Sequence, residues 1–449
     1  MKISILGTGY VGLVSGACLA EKGHMVLCVD IDPEKVKKTN QAIPIIYEKD
    51  LEELLARNVP ARFRATTDLR QAIMNTDVSI IAVGTPFNGE EIDLSHIREV
   101  SRQIGTVLRD KEEYHVIVVK STVVPGTTEE VVQPIIEQTS GKKAGIDFGL
   151  GMNPEFLREG EAVQDFLYPD RIILGGIDEQ TLDRLQFLYS VFKGVDVVRT
   201  TLKTAEMIKY TANSLLATMI SFSNEIGNLC SSLGGVDVTD VMKGVHLDKR
   251  LCPIMPDGLR VTPGFISYLE AGCGFGGSCF PKDVKALIAH GKKNGMSMSL
   301  LESVVKVNDE QPLQVLSILR SHFAELNGVR IAVLGLAFKP GTDDIRESPA
   351  LPIVKNILQT GASVQAYDPA AIQEAKKYFG ENGITYCDTL SQAIEDVDAV
   401  VLLTRWHEFN NLANLLVFRK DPPLLVDGRR MLNKLQFSRY AGIGLRVAK

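Results

Sequence analysis

The residues of this chain most suited to chemistry stand in GCGFGGSCFPKD, residues 272–283. Proline is favoured in the first turn of a helix, where its missing N–H would have no partner. Pro281 followed by KDVKALIAHGKK therefore predicts a helix start, with Cys279 just ahead of it. A helix N-terminus offers free N–H groups and partial positive charge, and both favour a thiolate. Lowering a free thiol's pKa by about two units makes thiolate the major form at neutral pH. Asp283 lies four residues on, about one helical turn away, near enough to act on a water. The segment reads as a presented nucleophile or as a buried cysteine at a helix start.

Two further spacings invite chemistry. In MNPEFLREGEA, Asn153 is predicted to cap a helix whose first residue is Pro154, which puts Glu155 and Glu159 on one face. Such a start offers N–H groups to an anion beside a carboxylate; it also reads as an ordinary cap. In MIKYTANS, Lys209 and Asn213 are four apart in an otherwise apolar stretch. A lysine facing inward there stabilises developing oxygen charge; facing outward, it snorkels to water.

The cofactor signal is at the N-terminus. KISILG, GTGYVGLVSGACLAEKGH and MVLCVDID read as strand, glycine turn, helix and strand. Gly7, Gly9 and Gly12 form a GxGxxG, and Asp30 follows at the distance expected of an acid on a ribose hydroxyl. The same stretch resembles a short signal peptide, but the βαβ context with its acid favours dinucleotide binding. A nicotinamide dinucleotide and a nucleophilic cysteine in one chain suggest oxidation of an alcohol to an aldehyde, capture as a thiohemiacetal, a second oxidation to a thioester, and hydrolysis to a carboxylate. A one-step aldehyde dehydrogenase uses the same features.

The elements that must position these residues fall into three parts. Apolar runs at 78–86, 116–123, 148–154 and 171–176 continue the first α/β domain to about residue 200. KTAEMIKYTANSLLATMISFSNEIGNLCSSL then predicts one long helix, and more helix follows from Pro281 to about Leu326. GVRIAVLGLAF, SVQAYDP, DAVVLLTRW and PPLLVDGRR begin a second strand–helix rhythm that lacks the full GxGxxG. It is either a structural duplicate or a second nucleotide-shaped site. The expected fold is α/β: two Rossmann-like doubly wound domains, 1–200 and 328–449, joined by a central long-helix region, 201–327, that carries a dimer contact and the cysteine loop.

Composition sets limits. The chain has 449 residues, a net charge of −6 and no basic block, which argues against nucleic acid or an anionic membrane as the main partner. No run reaches the ~18 apolar residues of a membrane span. Seven cysteines, scattered and without a CxxC pair, argue against a disulfide framework or a zinc site and fit a reducing, cytoplasmic compartment. No metal is expected.

GTGYVGL, VDID, VGTP, KSTVVPGTT, NPEFLREG, PDRIILG, AEMIKYTANS, FGGSCFPKD, GLAFKPGTDDIRESPA and DGRR together resemble the UDP-glucose/UDP-mannuronate/GDP-mannose dehydrogenases, over essentially the whole chain. These are NAD-dependent four-electron sugar-nucleotide 6-dehydrogenases, usually homodimeric. The resemblance implies that Cys279 is the nucleophile of the second oxidation and that Lys209 stabilises oxygen charge. It implies that Asp283, with Glu155 and Thr122, supports proton transfer at a water, and that Asn213 holds that water or the sugar. NAD is expected on Gly7, Gly9, Tyr10, Val11, Gly12, Asp30, Lys35, Thr85, Thr122, Glu159 and Arg346. The nucleotide sugar is expected along Glu155, Phe156, Leu157, Arg158, Lys209, Asn213, Tyr268, the Gly274–Gly277 loop with Gly276, Lys339 and Arg429.

Two departures stand out. The family's PIYEPGL is IIYEKDL here, and the stretch HLDKRLCPIMPDGLRVTPGFISYLEAG before the cysteine loop is long. Arg250 and Arg260 compete in it for a substrate-binding role, with Arg260 the expected one. UDP-glucose is the expected substrate; UDP-N-acetylmannosamine, GDP-mannose and dTDP-glucose are the alternatives, as are a two-electron dehydrogenase and a binding protein without turnover.

Overall fold

The computed structural model describes residues 1–417 and 419–446. The chain divides into two compact units, Met1–Ala212 and Asn213–Lys449, and the division falls inside one helix, Leu202–Leu233. That helix is the long one the sequence predicts.

The first unit is built on eight strands: β1 (Lys2–Leu6), β2 (Met25–Val29), β3 (Phe63–Thr66), β4 (Val78–Ile81), β5 (His115–Val119), β6 (Phe148–Met152), β7 (Arg171–Gly176) and β8 (Asp196–Thr200). Their order is β3-β2-β1-β4-β5-β6-β7-β8, parallel except where β6 meets β7. Strands of a parallel sheet are covered on both faces and read as continuous apolar runs. VSII of β4 and HVIVV of β5 are buried throughout for this reason. Ile3, Ile5 and Val26 pack into one core layer, and Leu6, Val29, Ile81 and Ile117 into the other. The strand order reverses across β1 and β4, where ligands of such sheets bind at the carboxyl ends. Two strands escape the apolar-run signal. β3 has four residues, FRAT. β8 is largely exposed along its length, and its Arg199 pairs with Glu179 and Asp183.

The second unit holds the rest of the long helix, helices Val238–His246, Phe280–Lys293, Ser299–Glu310 and Pro312–His322, and a second sheet. Its strands are β9 (Arg330–Leu334), β10 (Ser363–Tyr367), β11 (Ile384–Tyr386), β12 (Ala399–Leu402), β13 (Leu424–Asp427) and β14 (Tyr440–Gly442), in the order β11-β10-β9-β12-β13-β14 and wholly parallel. This repeats the order of the first six strands of the first sheet. Ile331 and Val333 face the layer that includes Val315 and Leu319 of the preceding helix, while Ala332 and Leu334 face Phe409 and Leu412. The fold is therefore α/β with two Rossmann-like sheets and a long helix in the middle.

Candidate active site

In the first unit, the glycine turn after β1 is fitted to a ligand that approaches its backbone. Gly7 has φ +101, and a Cβ on Gly12 would stand 1.9 Å from the Gly7 carbonyl oxygen, so the turn closes only with glycine there. A Cβ on Gly9 meets nothing within 4 Å, leaving open space at the start of helix Tyr10–Glu21. Backbone N–H groups at such a helix start receive a pyrophosphate. Asp30, at the end of β2, accepts from Thr8 N (2.9 Å), Thr8 Oγ1 (2.5 Å) and Asp32 N (3.0 Å). Burial opposes its charge, but these donors and Lys35 outweigh burial and keep its pKa below the usual aspartate value. A carboxylate has about four acceptor positions, so capacity for a ribose hydroxyl remains. Lys35 sits in helix Pro33–Asn40, which Asp32 caps. Thr85 and Thr122 lie on the loops after β4 and β5, joined by a 2.7 Å bond from Thr85 Oγ1 to the Thr122 carbonyl. These residues fit NAD.

Tyr10 and Val11 are half-buried at the helix start. The Tyr10 hydroxyl bonds Glu48, and Glu48 also accepts from Gly160 N (2.7 Å) and Ala162 N (2.9 Å). Glu48 is the acid of IIYEKDL. It ties the glycine-turn helix to the 153–162 turn, a role the sequence reading missed although the Tyr-Glu pair was visible inside the altered loop.

That turn corrects one expectation. Asn153 caps no helix, and 153–161 is irregular; the next helix is Ala162–Leu167. The residue before a proline is biased to extended backbone, and the Asn153 side chain is spent elsewhere. Its Nδ2 donates to the Ile173 carbonyl (2.9 Å), and its Oδ1 accepts from Lys120 Nζ (2.8 Å) and the Tyr189 hydroxyl (2.5 Å). Glu155 and Glu159 therefore share no helical face. Glu155 instead forms a buried ion pair with Lys209 (2.9 Å) and accepts from Leu157 N (2.6 Å). Burial pushes the Glu155 carboxyl up, and Lys209, with the Leu157 N–H and Lys120, more than offsets it, so its pKa lies below the usual glutamate value. Lys209 points inward rather than snorkelling. Phe156 lies with its ring 4.0 Å from the Arg171 guanidinium and 5.4 Å from Lys209 Nζ. Leu157 is half-buried, and Arg158 is exposed, pairing with Asp165 and Glu161. Glu159 is half-buried at the end of the turn. Glu206, one helical turn before Lys209, is a second missed residue. It accepts from Gly126 N, Thr128 N and Thr128 Oγ1 at 2.6–2.8 Å, which holds the loop after Thr122 to the helix of Lys209.

In the second unit, Cys279 is the N-cap residue of helix Phe280–Lys293, with Pro281 in the first turn and Asp283 N donating to the Cys279 carbonyl (2.8 Å). Cys279 is half-exposed, whereas Cys18, Cys28, Cys230, Cys252, Cys273 and Cys387 are buried. Burial raises the pKa of neighbouring Cys273, so within this loop Cys279 is the thiol placed to react. Asp283 is 1% exposed and is held by Lys282 Nζ (2.6 Å) and Asn213 Nδ2 (2.6 Å). The glycine loop ahead of Cys279 is pinned rather than slack. Gly272 N donates to Asn224 Oδ1, Gln311 Nε2 donates to the Gly272 carbonyl, Asn228 donates to Gln311, and Asn308 bonds both the N–H and the carbonyl of Phe275, all at 2.8–3.0 Å. A Cβ on Gly276 would stand 2.1 Å from the Glu347 carbonyl oxygen, so here glycine lets backbone meet backbone.

The remaining expected binding residues are largely occupied. Arg429 donates to the Gly274 carbonyl (2.7 Å) and the Leu403 carbonyl (2.6 Å), bracing the cysteine loop. Arg260 donates to the Leu247 and Cys252 carbonyls, both at 2.8 Å, and closes its own segment, while Arg250 pairs with Asp248 at the surface. Tyr268 stacks near Phe280, beside Cys279, with ring centres 6.1 Å apart. Lys339 lies 5.9 Å from the Phe338 ring, which packs against Gly277, and Arg346 forks onto Asp344. Asp368 ends β10 as Asp30 ends β2. Its carboxylate already accepts from Leu336 N, Ala337 N, Ala370 N, Ala371 N and Trp406 Nε1 at 2.8–3.1 Å. The position that keeps acceptor capacity in the first sheet is filled in the second. Among the described residues no helix is long and apolar enough to cross a membrane, and no cluster of His, Cys, Asp and Glu could hold a metal.

Residues 1–193 match the NAD binding domain of the UDP-glucose/GDP-mannose dehydrogenase family, residues 203–310 its central domain and residues 332–434 its UDP binding domain. The chain is 40% identical to the UDP-glucose 6-dehydrogenase AglM of Haloferax volcanii, over 99% of this chain and 100% of that one. It is also 40% identical to the GDP-mannose 6-dehydrogenase of Pseudomonas syringae pv. syringae, over 97% of this chain and 96% of the relative. A solved UDP-glucose dehydrogenase from the archaeon Pyrobaculum islandicum superposes with a TM-score of 0.89 at 35% identity, covering 99% of this chain and 98% of that one. A glycine turn shaped for a dinucleotide and a cysteine at a helix start thus stand on a chain matched from end to end, its cofactor is NAD, and it belongs to the UDP-glucose/GDP-mannose dehydrogenase family.

Proposed function

We propose that this chain oxidises the C6 alcohol of UDP-glucose to a carboxylate, converting UDP-glucose, two NAD and water into UDP-glucuronate and two NADH. The observation that carries the reading is Cys279, half-exposed at a helix N-terminus with Asp283 in the same first turn. When bound, NAD accepts a hydride in each of the two oxidations. The chain's own residues do the rest. Lys209, held by Glu155, stabilises the oxygen that gains charge as the alcohol loses its proton. The Cys279 thiolate adds to the aldehyde carbon, giving a thiohemiacetal whose oxidation leaves a thioester. Asp283, Asn213, Glu155 and Thr122 position and deprotonate the water that releases the carboxylate and returns the thiol.

We assign residues 1–200 to NAD, 201–327 to the dimer contact and cysteine loop, and 328–449 to the nucleotide sugar. The NAD contacts are those expected from the sequence, and the sugar nucleotide runs along Phe156–Arg158, Tyr268, the Gly274–Gly277 loop, Lys339 and Arg429. Because Arg260 is engaged by two carbonyls, it acts by shaping its segment. A homodimer is supported by an apolar stripe at seven-residue spacing on the long helix: Leu215, Phe222 and Leu229 are 54, 50 and 54% exposed. Seven free cysteines support a cytoplasmic location.

A second reading, GDP-mannose as substrate, draws on a relative of equal identity. The test is NADH formed per limiting UDP-glucose, UDP-N-acetylmannosamine, GDP-mannose or dTDP-glucose. A ratio near two with UDP-glucose is expected. A ratio near two with another sugar replaces the substrate, and a ratio near one removes Cys279 from the mechanism.

A further inference from the structure

Lys120 has no part in the reaction proposed above, yet its ammonium is buried. It follows β5, where VVKST leaves the sheet. An enclosed ammonium costs several kcal/mol unless it is paired and hydrogen-bonded, on the order of what a fold can spare. Lys120 Nζ donates to Asn153 Oδ1 at 2.8 Å and stands 5.6 Å from the centre of the Phe166 ring. Asn153 is fixed in turn by the Ile173 carbonyl and the Tyr189 hydroxyl. Two residues later comes Glu155, paired with Lys209.

We propose that Lys120 is a positioning residue for the Glu155–Lys209 pair: through Asn153 it fixes the turn that carries Glu155, and it brings a second buried cation to that turn. The groups that bear on Glu155 are Lys120 from the end of β5, Lys209 from the long helix and the Leu157 N–H. Arg171 of β7 lies against Phe156, and the Tyr189 hydroxyl reaches Asn153. Burial would raise the Glu155 carboxyl; Lys209 first, then the Leu157 N–H, and then Lys120 bring it down. Burial in turn lowers Lys120 to about 8, against the pull of Glu155, so at neutral pH it is chiefly a cation. The inference rests on the proposed reaction, in that Glu155 and Lys209 serve turnover.

The test compares wild type with Lys120→Gln, which keeps an amide donor for Asn153 but no charge, and Lys120→Arg, which keeps the charge. With UDP-glucose and NAD, the acid limb of the kcat–pH profile should move up by about one unit in Lys120→Gln and stay in place in Lys120→Arg, with the KM for NAD unchanged. A lowered Tm with an unmoved acid limb in Lys120→Gln would mean that Lys120 only supports the fold, and the proposal falls. If Lys120→Gln does not fold, Asn153→Ala decides: kcat down by about tenfold or more with the acid limb in place is expected, and wild-type kcat overturns the positioning role. Infrared titration of the carboxylate band lost in Glu155→Gln gives the Glu155 pKa without turnover. A wild type that makes no NADH refutes the proposed reaction, while the infrared comparison still decides whether Lys120 governs Glu155.

Discussion

Cys279 and Asp283 share the first turn of one helix, and the helix treats them oppositely. The sulfur is left half-exposed at the helix N-terminus, while the carboxylate is enclosed by a lysine and an asparagine. The proposed reaction needs a thiolate at the first position and a fixed acceptor at the second. Cys279→Ser should lower steady-state carboxylate formation by ~10³-fold or more while leaving NAD affinity unchanged, as measured by NADH release and by NAD titration. The buried Lys209–Glu155 pair makes a different demand. Removing one partner of a buried pair strands the other and costs about 3–5 kcal/mol, so Lys209→Met should lose that much stability in urea, and adding Glu155→Gln should restore part of it. The sign with pH follows from the depressed Glu155 pKa. The stabilisation is present above the unfolded glutamate value of 4.5 and is lost as pH falls through the lower folded value, so Lys209→Met should lack that acid-side slope. The helix start at Cys279 was legible from proline alone, whereas its role as a nucleophile came only with the family resemblance. The inward turn of Lys209 was not, because an apolar neighbourhood in sequence does not say which helix face meets a carboxylate 54 residues away.

At the scale of elements, the 153–161 turn shows where local rules compete. Asn-Pro is a good helix start by capping preference, but it is also an extended dipeptide, and the second reading prevails because Asn153 finds three partners on β7, Lys120 and Tyr189. None of those partners is near in sequence. The same holds for Glu206, whose three donors come from 126–128. Burial pushes its carboxyl up from 4.5 to about 7, against those donors. A carboxyl raised in the folded state favours folding below its unfolded pKa, and that contribution is lost as pH rises through about 7. Glu206→Gln should therefore flatten the fall in stability between pH 5 and 8, by about 3 kcal/mol at most, read from Tm at each pH. A slope that survives the substitution would assign it to another group. The strands that sequence missed, β3, β8, β11 and β14, are those that are short or largely exposed, so they carry no apolar run.

At the scale of the molecule, two sheets of one strand order serve two purposes. The sequence shows both domains through their apolar runs and glycine turns, but the difference between Asp30 and Asp368 depends on donors that only the folded chain assembles. The proposed homodimer belongs to this scale as well. Leu215, Phe222 and Leu229 leave apolar surface on one line of the long helix, and a charge placed there should oppose association. Phe222→Glu is expected to halve the mass seen by light scattering in solution; an unchanged mass would put the contact elsewhere.

The loop that presents Cys279 is held chiefly by carboxamides, from Asn224, Asn228, Asn308 and Gln311, together with a guanidinium from Arg429. Carboxamides neither titrate nor feel ionic strength, and arginine keeps its proton throughout. The thiol can gain or lose charge without loosening what holds it, so salt and acidity should alter its reactivity and leave its placement alone. The vulnerability of such a scaffold is slow chemical ageing: deamidation of Asn308 or Gln311 would turn a donor–acceptor clamp into an anion beside a backbone carbonyl, and an old preparation would lose turnover while still taking up cofactor.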